Sequence, residues 1–217
     1  MFNACPRCGL SQGETEFDPS GFHVCARCGD RRPHRRLPLM LVGGPAGAGK
    51  STCGALLVGR VTEAVILESD LLWRPEFNTP EDGYHNYFSL WLRLAAHISQ
   101  SGRPAAVFGA GFAVPHSVEP LPERALFSTV HYLGLVCDEE ELGRRLSRRP
   151  RWKDHEDRER LVAEHARFNR WLKANAAAAA PPVTLIDTTN RPAEETAAEV
   201  AAWIRQKVSS CGLRVSS

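Results

Sequence analysis

The 217-residue sequence has no apolar run near the roughly 18 residues that suggest a membrane-spanning helix. Its opening, Met1-Phe2-Asn3-Ala4-Cys5-Pro6, carries neither the basic stretch nor the apolar core of a secretory signal. An excess of one charge is missing too: 27 basic residues against 25 acidic ones leave +2, so composition makes no case for a nucleic-acid binder. With 43% hydrophobic and 24% charged residues, a disordered or fibrous chain is excluded. The seven cysteines are an odd number, which with no legible signal argues against a disulfide framework. No histidine sits in a metal-ligand spacing such as His-x-x-Glu-His, and no local context suggests a Ser-His-Asp order. The expectation is a soluble cytoplasmic protein, without membrane partners, made of one ordinary domain and a small appendage.

What is present begins with cysteine. Cys5-x-x-Cys8-Gly9 and Cys25-x-x-Cys28-Gly29 form two pairs separated by 16 residues. Each pair can place two thiolates on one tetrahedral ion, and the glycine after it permits a left-handed turn. A segment this short rarely folds without a metal, so Cys5, Cys8, Cys25 and Cys28 are read as ligands of one structural Zn²⁺. The pattern resembles a zinc ribbon. Between the pairs, Glu14–Phe17, the turn Asp18-Pro19-Ser20-Gly21 and Phe22–Val24 read as strand, turn, strand. Arg31-Arg32-Pro33-His34-Arg35-Arg36 reads as a solvated linker. The expected division is a ribbon at 1–30, a basic linker at 31–37, a main domain at 38–208 and a tail at 209–217. Six arginines, Arg7 and Arg27 among them, face four acids over residues 1–37. That balance favours a structural or partner-docking module over a nucleic-acid reader.

From Leu37 onward, short apolar runs alternate with helical periodicity. Strands are expected at 39–42, 64–67, 105–108, 130–136 and 183–186. Helices are expected at 49–61, about 83–101, 138–149, about 154–178 and 192–208. Strands bounded by helices indicate an α/β fold with a mainly parallel sheet.

The first of these strands runs into Gly44-Pro45-Ala46-Gly47-Ala48-Gly49-Lys50-Ser51, which fits G-x-x-x-x-G-K-[ST] between a strand and a helix. Such a loop turns backbone N–H groups inward around phosphates, adds the helix N-terminus, and supplies Lys50 to the β/γ-phosphates and the Ser51 hydroxyl to Mg²⁺. Gly44 through Thr52 are thus candidate nucleotide ligands. The third strand ends Val107-Phe108-Gly109-Ala110-Gly111 without an acid, and no Asn-Lys-x-Asp guanine motif occurs. The second strand instead ends Leu67-Glu68-Ser69-Asp70. Period-two alternation would point Glu68 and Asp70 to one side, beside the phosphate loop.

On these motifs residues 38–208 resemble the nucleoside and nucleotide kinase group of P-loop proteins, which includes gluconate, shikimate, adenylylsulfate and polynucleotide kinases. The resemblance implies a five-stranded parallel sheet in the order 2-3-1-4-5. It implies an ATP- and Mg²⁺-dependent kinase. Glu68-Ser69-Asp70 is similar to the group's Asp-x-Asp, whose second acid engages the acceptor hydroxyl while the first supports magnesium. Asp70 takes the former position and Glu68, a glutamate in place of aspartate, the latter. Arg145-Leu146-Ser147-Arg148-Arg149 is similar to the opening of a short lid, with Arg145 over the adenine and Arg149 at the transferred phosphates. Asp187-Thr188-Thr189-Asn190-Arg191-Pro192 resembles the loop under the adenine.

The acceptor is the open element. Trp73, Arg74, Phe77, Tyr84, Tyr87, Phe88 and Trp91 crowd the segment where this group binds its acceptor, joined by Phe112, Glu119 and Arg124. Aromatics there can stack a base or wall a sugar-like ring, and Trp73, Arg74 and Arg124 are acceptor candidates. Asp70 tilts the reading to a hydroxyl acceptor. A nucleoside monophosphate kinase and a nucleic-acid-associated ATP-binding module, including a polynucleotide 5′-hydroxyl kinase, remain as alternatives. Oligomeric state is not legible.

Overall fold

A computed structural model describes residues 4–11, 16–18, 22–149 and 157–210. The central strand, β4 (Leu39–Gly43), is buried along its whole length because both of its faces are covered. Its alternation divides the interior: Leu39 and Leu41 enter one apolar cluster, Met40 and Val42 another on the opposite face. β5 (Val65–Glu68), β6 (Ala105–Phe108), β7 (Val130–Val136) and β8 (Val183–Asp187) complete a parallel sheet in the order β5-β6-β4-β7-β8. Within the main domain that is 2-3-1-4-5, as the resemblance implied.

α1 (Lys50–Leu57) and α5 (Ala193–Ser209) cover the Met40 face, packing Cys53, Leu57, Val200 and Ile204 against it. α2 (His85–Ser99) and α4 (Arg158–Asn175) cover the Leu39 face with Trp91, Leu92, Ala95 and Leu172. α3 (Glu139–Ser147) starts at Asp138, whose carboxylate accepts from Glu141 N–H at 2.7 Å, and carries Arg144 and Arg145 in its last turn. A third, smaller cluster of Cys137, Leu142 and Leu146 receives Val162 and Ala166 of α4 together with Ala46.

The amino-terminal segment forms a three-stranded antiparallel sheet of β1 (Glu16–Asp18), β2 (Phe22–Val24) and β3 (Arg31–Pro33). β3 corrects the expected linker. Its charge run is that of an edge strand, where basic side chains and a proline are tolerated because one side of the ladder faces water. The Arg31 guanidinium lies 4.9 Å above the Phe22 ring, and Arg32 pairs with Asp30 at 3.5 Å. His34 is buried against the His23 ring, with Nε2 3.2 Å from Leu126 O, and Arg36 donates to Phe127 O at 3.0 Å. Leu126 and Phe127 precede β7, so the chain enters the main domain at the amino-terminal edge of the sheet.

Another difference lies at β5. The strand ends at Glu68, and Ser69–Leu72 is a 3-10 turn, so strand alternation does not carry through to Asp70. The turn begins where the half-buried apolar run of β5 gives way to polar residues. Residues 150–156, which follow the expected lid opening and include the start of the helix expected from about 154, and the tail from 211 lie outside the described residues.

Candidate functional site

In an open parallel sheet, ligands collect at the carboxyl ends of the strands where the order reverses. β4 lies at that reversal, and the loop Gly44–Gly49 follows it into α1. Gly44 adopts φ +134°, and a Cβ there would stand 2.2 Å from Leu135 O, so the first glycine answers both a backbone requirement and a close approach. Lys50 folds back over the loop, its Nζ donating to Gly44 O at 2.8 Å and Pro45 O at 2.9 Å. Burial brings its pKa down to about 8, Arg149 adds to the fall, and Asp70 and Glu68 oppose it. The four charges therefore share one field.

Ser51 Oγ donates to Glu68 Oε1 at 2.6 Å. Glu68 ends β5, and after the neighbouring strand β6 no side chain fits at Gly109, where a Cβ would lie 2.1 Å from Ser69 Oγ. An oxygen pair of hydroxyl and carboxylate, both exposed, is the donor set a magnesium ion takes alongside phosphates. Asp70 is exposed on the turn that follows, and Tyr87 fixes this turn from below by donating to Ser69 O at 2.6 Å.

On the other side of the loop lies a cleft of about 260 Å³ lined by Gly47–Gly49, Thr52, Cys53, Arg145, Arg149, Thr188, Arg191, Ala193 and Thr196. Arg145 braces it. Its guanidinium donates to Glu141 Oε1 at 2.6 Å, Thr188 Oγ1 at 3.0 Å, Thr188 O at 2.7 Å and Gly47 O at 3.4 Å. Glu141 also accepts from Arg144 twice, and these arginines hold its carboxyl below the usual range. Arg149 is exposed at the cleft and not tied down in this way.

The acceptor candidates divide. Trp73 is 42% exposed and meets the Tyr87 ring edge-on at 5.1 Å, with Tyr84 at 6.3 Å. Arg74 is exposed beside it. Arg124, by contrast, is half-buried and engaged: it pairs with Glu119 at 2.9 Å and donates to Phe127 O, while Tyr132 donates to Glu119 at 2.8 Å. Phe88, Trp91 and Phe112 are core residues, with Phe88 and Phe112 packed edge-to-face at 5.1 Å.

Sequence reasoning gave no role to any histidine, yet His165 of α4 accepts the Ala46 N–H of the phosphate loop at 3.3 Å through Nδ1. They stand 119 positions apart in the chain, so no local signal connects the two. The fold alone joins them.

In the small sheet, the two knuckles repeat one geometry: Cys5 N–H donates to Leu10 O and Cys25 N–H to Asp30 O, with Gly9 and Gly29 at φ +70° and +68°. Cys5 and Cys28 sulfurs lie 3.7 Å apart, as do those of Cys8 and Cys25, and all four are within 4.8 Å of one another. A tetrahedron with metal–sulfur bonds of about 2.3 Å has edges of about 3.8 Å, whereas a disulfide needs about 2.05 Å. The four sulfurs thus fit a closed thiolate shell.

No protein-family model and no curated protein matches the sequence. Solved structures do match it. A gluconokinase from Sinorhizobium meliloti is similar over 84% of this chain and 100% of its own, at 19% identity and a TM-score of 0.55. A sugar kinase from Janibacter is similar over 78% and 95%, at 18% identity and 0.51. A tRNA isopentenylpyrophosphate transferase from Bacillus halodurans is similar over 81% and 97%, at 13% identity and 0.55. The chain has the P-loop kinase-like fold, preceded by four cysteines that fit a small zinc ribbon.

Proposed function

We propose that the protein is an ATP- and Mg²⁺-dependent kinase of the cytoplasm that transfers the γ-phosphate to a hydroxyl of a small molecule or nucleoside, with a structural Zn²⁺ in its ribbon. The observation that carries this reading is the 2.6 Å contact of Ser51 with Glu68, made within the field shared by Lys50 and Asp70. A GTPase-like switch has no evident use for a second acid two residues beyond the first.

In this reading Gly44–Thr52 wrap the nucleotide phosphates and Lys50 leaves the loop carbonyls for the β/γ-oxygens. Ser51 and Glu68 would hold Mg²⁺, which when bound neutralises charge on the phosphate oxygens. Asp70 orients the acceptor hydroxyl and takes its proton as the oxygen bonds the γ-phosphorus and the bond to the β,γ-bridging oxygen breaks, ADP being the leaving group. Arg149 meets the charge that develops on the transferring group, while Arg145, already fixed to Thr188 and Gly47, shapes the cleft for the base. Trp73 walls the acceptor and Arg74 offers a cation to an anionic one. Arg124, half-buried and paired with Glu119, is given no acceptor contact in this reading.

The free, exposed guanidinium of Arg74 also supports a second reading, transfer to the phosphate of a nucleoside monophosphate. A phosphotransfer screen over nucleosides, nucleotides, polyols, sugar acids and 5′-hydroxyl oligonucleotides separates the two. We expect Mg²⁺-dependent transfer to a hydroxyl compound. Transfer confined to monophosphate acceptors would replace the first reading by the second, and ATP hydrolysis without any acceptor would overturn both.

A further inference from the structure

α4 does more than cover the sheet. Asn169, itself buried, is bonded to the backbone of Cys137 in both directions, accepting its N–H at 3.3 Å and donating to its O at 2.6 Å. Leu172 packs so closely on Gly134 of β7 that a Cβ there would lie 2.8 Å from it. Val162 and Ala166 add apolar contact with the cluster that holds Ala46. These residues recur at helical spacing with His165, so one face of α4 is seated on the end of β7 and on the phosphate loop. His165 is the polar member of that face, and its partner is a loop amide.

We propose that His165 is a positioning residue of the nucleotide site: its neutral imidazole pins Ala46, and with it the phosphate loop, to α4. The inference rests on the reading of Gly44–Thr52 as a nucleotide-phosphate loop. Accepting from an N–H at Nδ1 requires an unprotonated Nδ1, so the neutral ring carries its hydrogen on Nε2. The surroundings favour that form. Burial and Lys50 from α1 press the His165 pKa below its ordinary value, Arg149 beyond α3 does so further, and Glu164 on α4 opposes them. On α3, Glu141 and Arg145 are bonded to each other. A proton added to His165 would confront the Ala46 donor with a second donor and break the pin. The sign is therefore fixed: the pin holds at and above the ordinary histidine value near 6.5, and is lost only as pH falls through the lower value that His165 takes in the fold.

The test measures ADP and ATP binding, with Mg²⁺, to the full chain from pH 5 to 8. Three proteins are compared: wild type, His165→Ala and His165→Asn. The Asn side chain can set an oxygen where Nδ1 stands but does not titrate. A neutral hydrogen bond contributes about 0.5–1.5 kcal/mol, so His165→Ala is expected to bind about two- to tenfold more weakly at pH 8. His165→Asn should recover most of that loss. Titration of the nucleotide itself is common to all three and cancels in the ratios. Relative to His165→Asn, wild type should lose affinity only on the acid side. Equal weakening by Ala and Asn, or an acid-side loss as large in Asn as in wild type, would overturn the pin. Failure of the wild type to bind either nucleotide at any pH would instead overturn the reading of the loop, and so with it the site that His165 is proposed to position.

Discussion

Glu68 and Asp70 differ by two positions and by one conformational state. Glu68 closes a strand and is engaged with Ser51, whereas Asp70 stands on a turn with its carboxylate exposed. The first arrangement suits a metal-supporting acid and the second an acid that meets a substrate. Asp70→Asn keeps the shape and removes the basicity. With a hydroxyl acceptor, single-turnover transfer should fall by roughly 10²–10⁴-fold while ATP affinity stays near normal. With a monophosphate acceptor, already anionic, the loss should be slight, so the same measurement also reports on acceptor class. Lys50→Ala should abolish turnover and leave the circular dichroism unchanged, because Lys50 Nζ contacts the carbonyls of its own loop and lies outside the sheet core. At this scale much was legible. The loop, the acid pair and the cysteines are local patterns whose spacing dictates their chemistry. The pairing of Arg124 with Glu119 and with Phe127 O was not legible, because nothing in the spacing of loop residues says which of them meet.

At the scale of elements, strand cores could be read to within a residue or two, since β4 through β8 are short apolar runs between turns. Two features could not. β3 is a charged edge strand, and its run of basic residues gives no apolar alternation to announce the ladder it makes with β2. The seat of α4 on the phosphate loop depends on Asn169 and His165, polar residues in a helix whose periodicity otherwise announces a half-exposed face. Asn169→Leu tests that seat. It would leave the buried N–H and C=O of Cys137 without their side-chain partner, and each such group costs about 1–3 kcal/mol. Urea denaturation should show a stability loss of about 2–4 kcal/mol, with weaker nucleotide binding as α4 loosens.

At the scale of the molecule, the ribbon is a separate three-stranded sheet whose chain joins the main domain at the amino-terminal edge of the five-stranded sheet. The phosphate loop leaves that sheet at the other edge. The chain leaving β3 joins the main domain beside Leu126 and Phe127, before β7, whereas the phosphate loop lies beyond the far end of β4. Five residues of strand separate those edges by roughly 13–16 Å. Elemental analysis of protein never exposed to chelators should find one zinc per chain. Structural zinc in small fingers contributes on the order of 10–16 kcal/mol of apparent binding free energy, so its removal should unfold the small sheet. ATP affinity should stay unchanged, and calorimetry should then show the main domain melting alone. A fall in ATP affinity on chelation would show that the two ends communicate. The placement has a consequence for how the protein could be used by others in the cell. A partner that grips the ribbon takes hold of the molecule from behind, leaving the cleft and the acid pair facing outward. Such a grip would recruit without obstructing: it could bring the protein to a surface or an assembly and still leave the cleft a free approach.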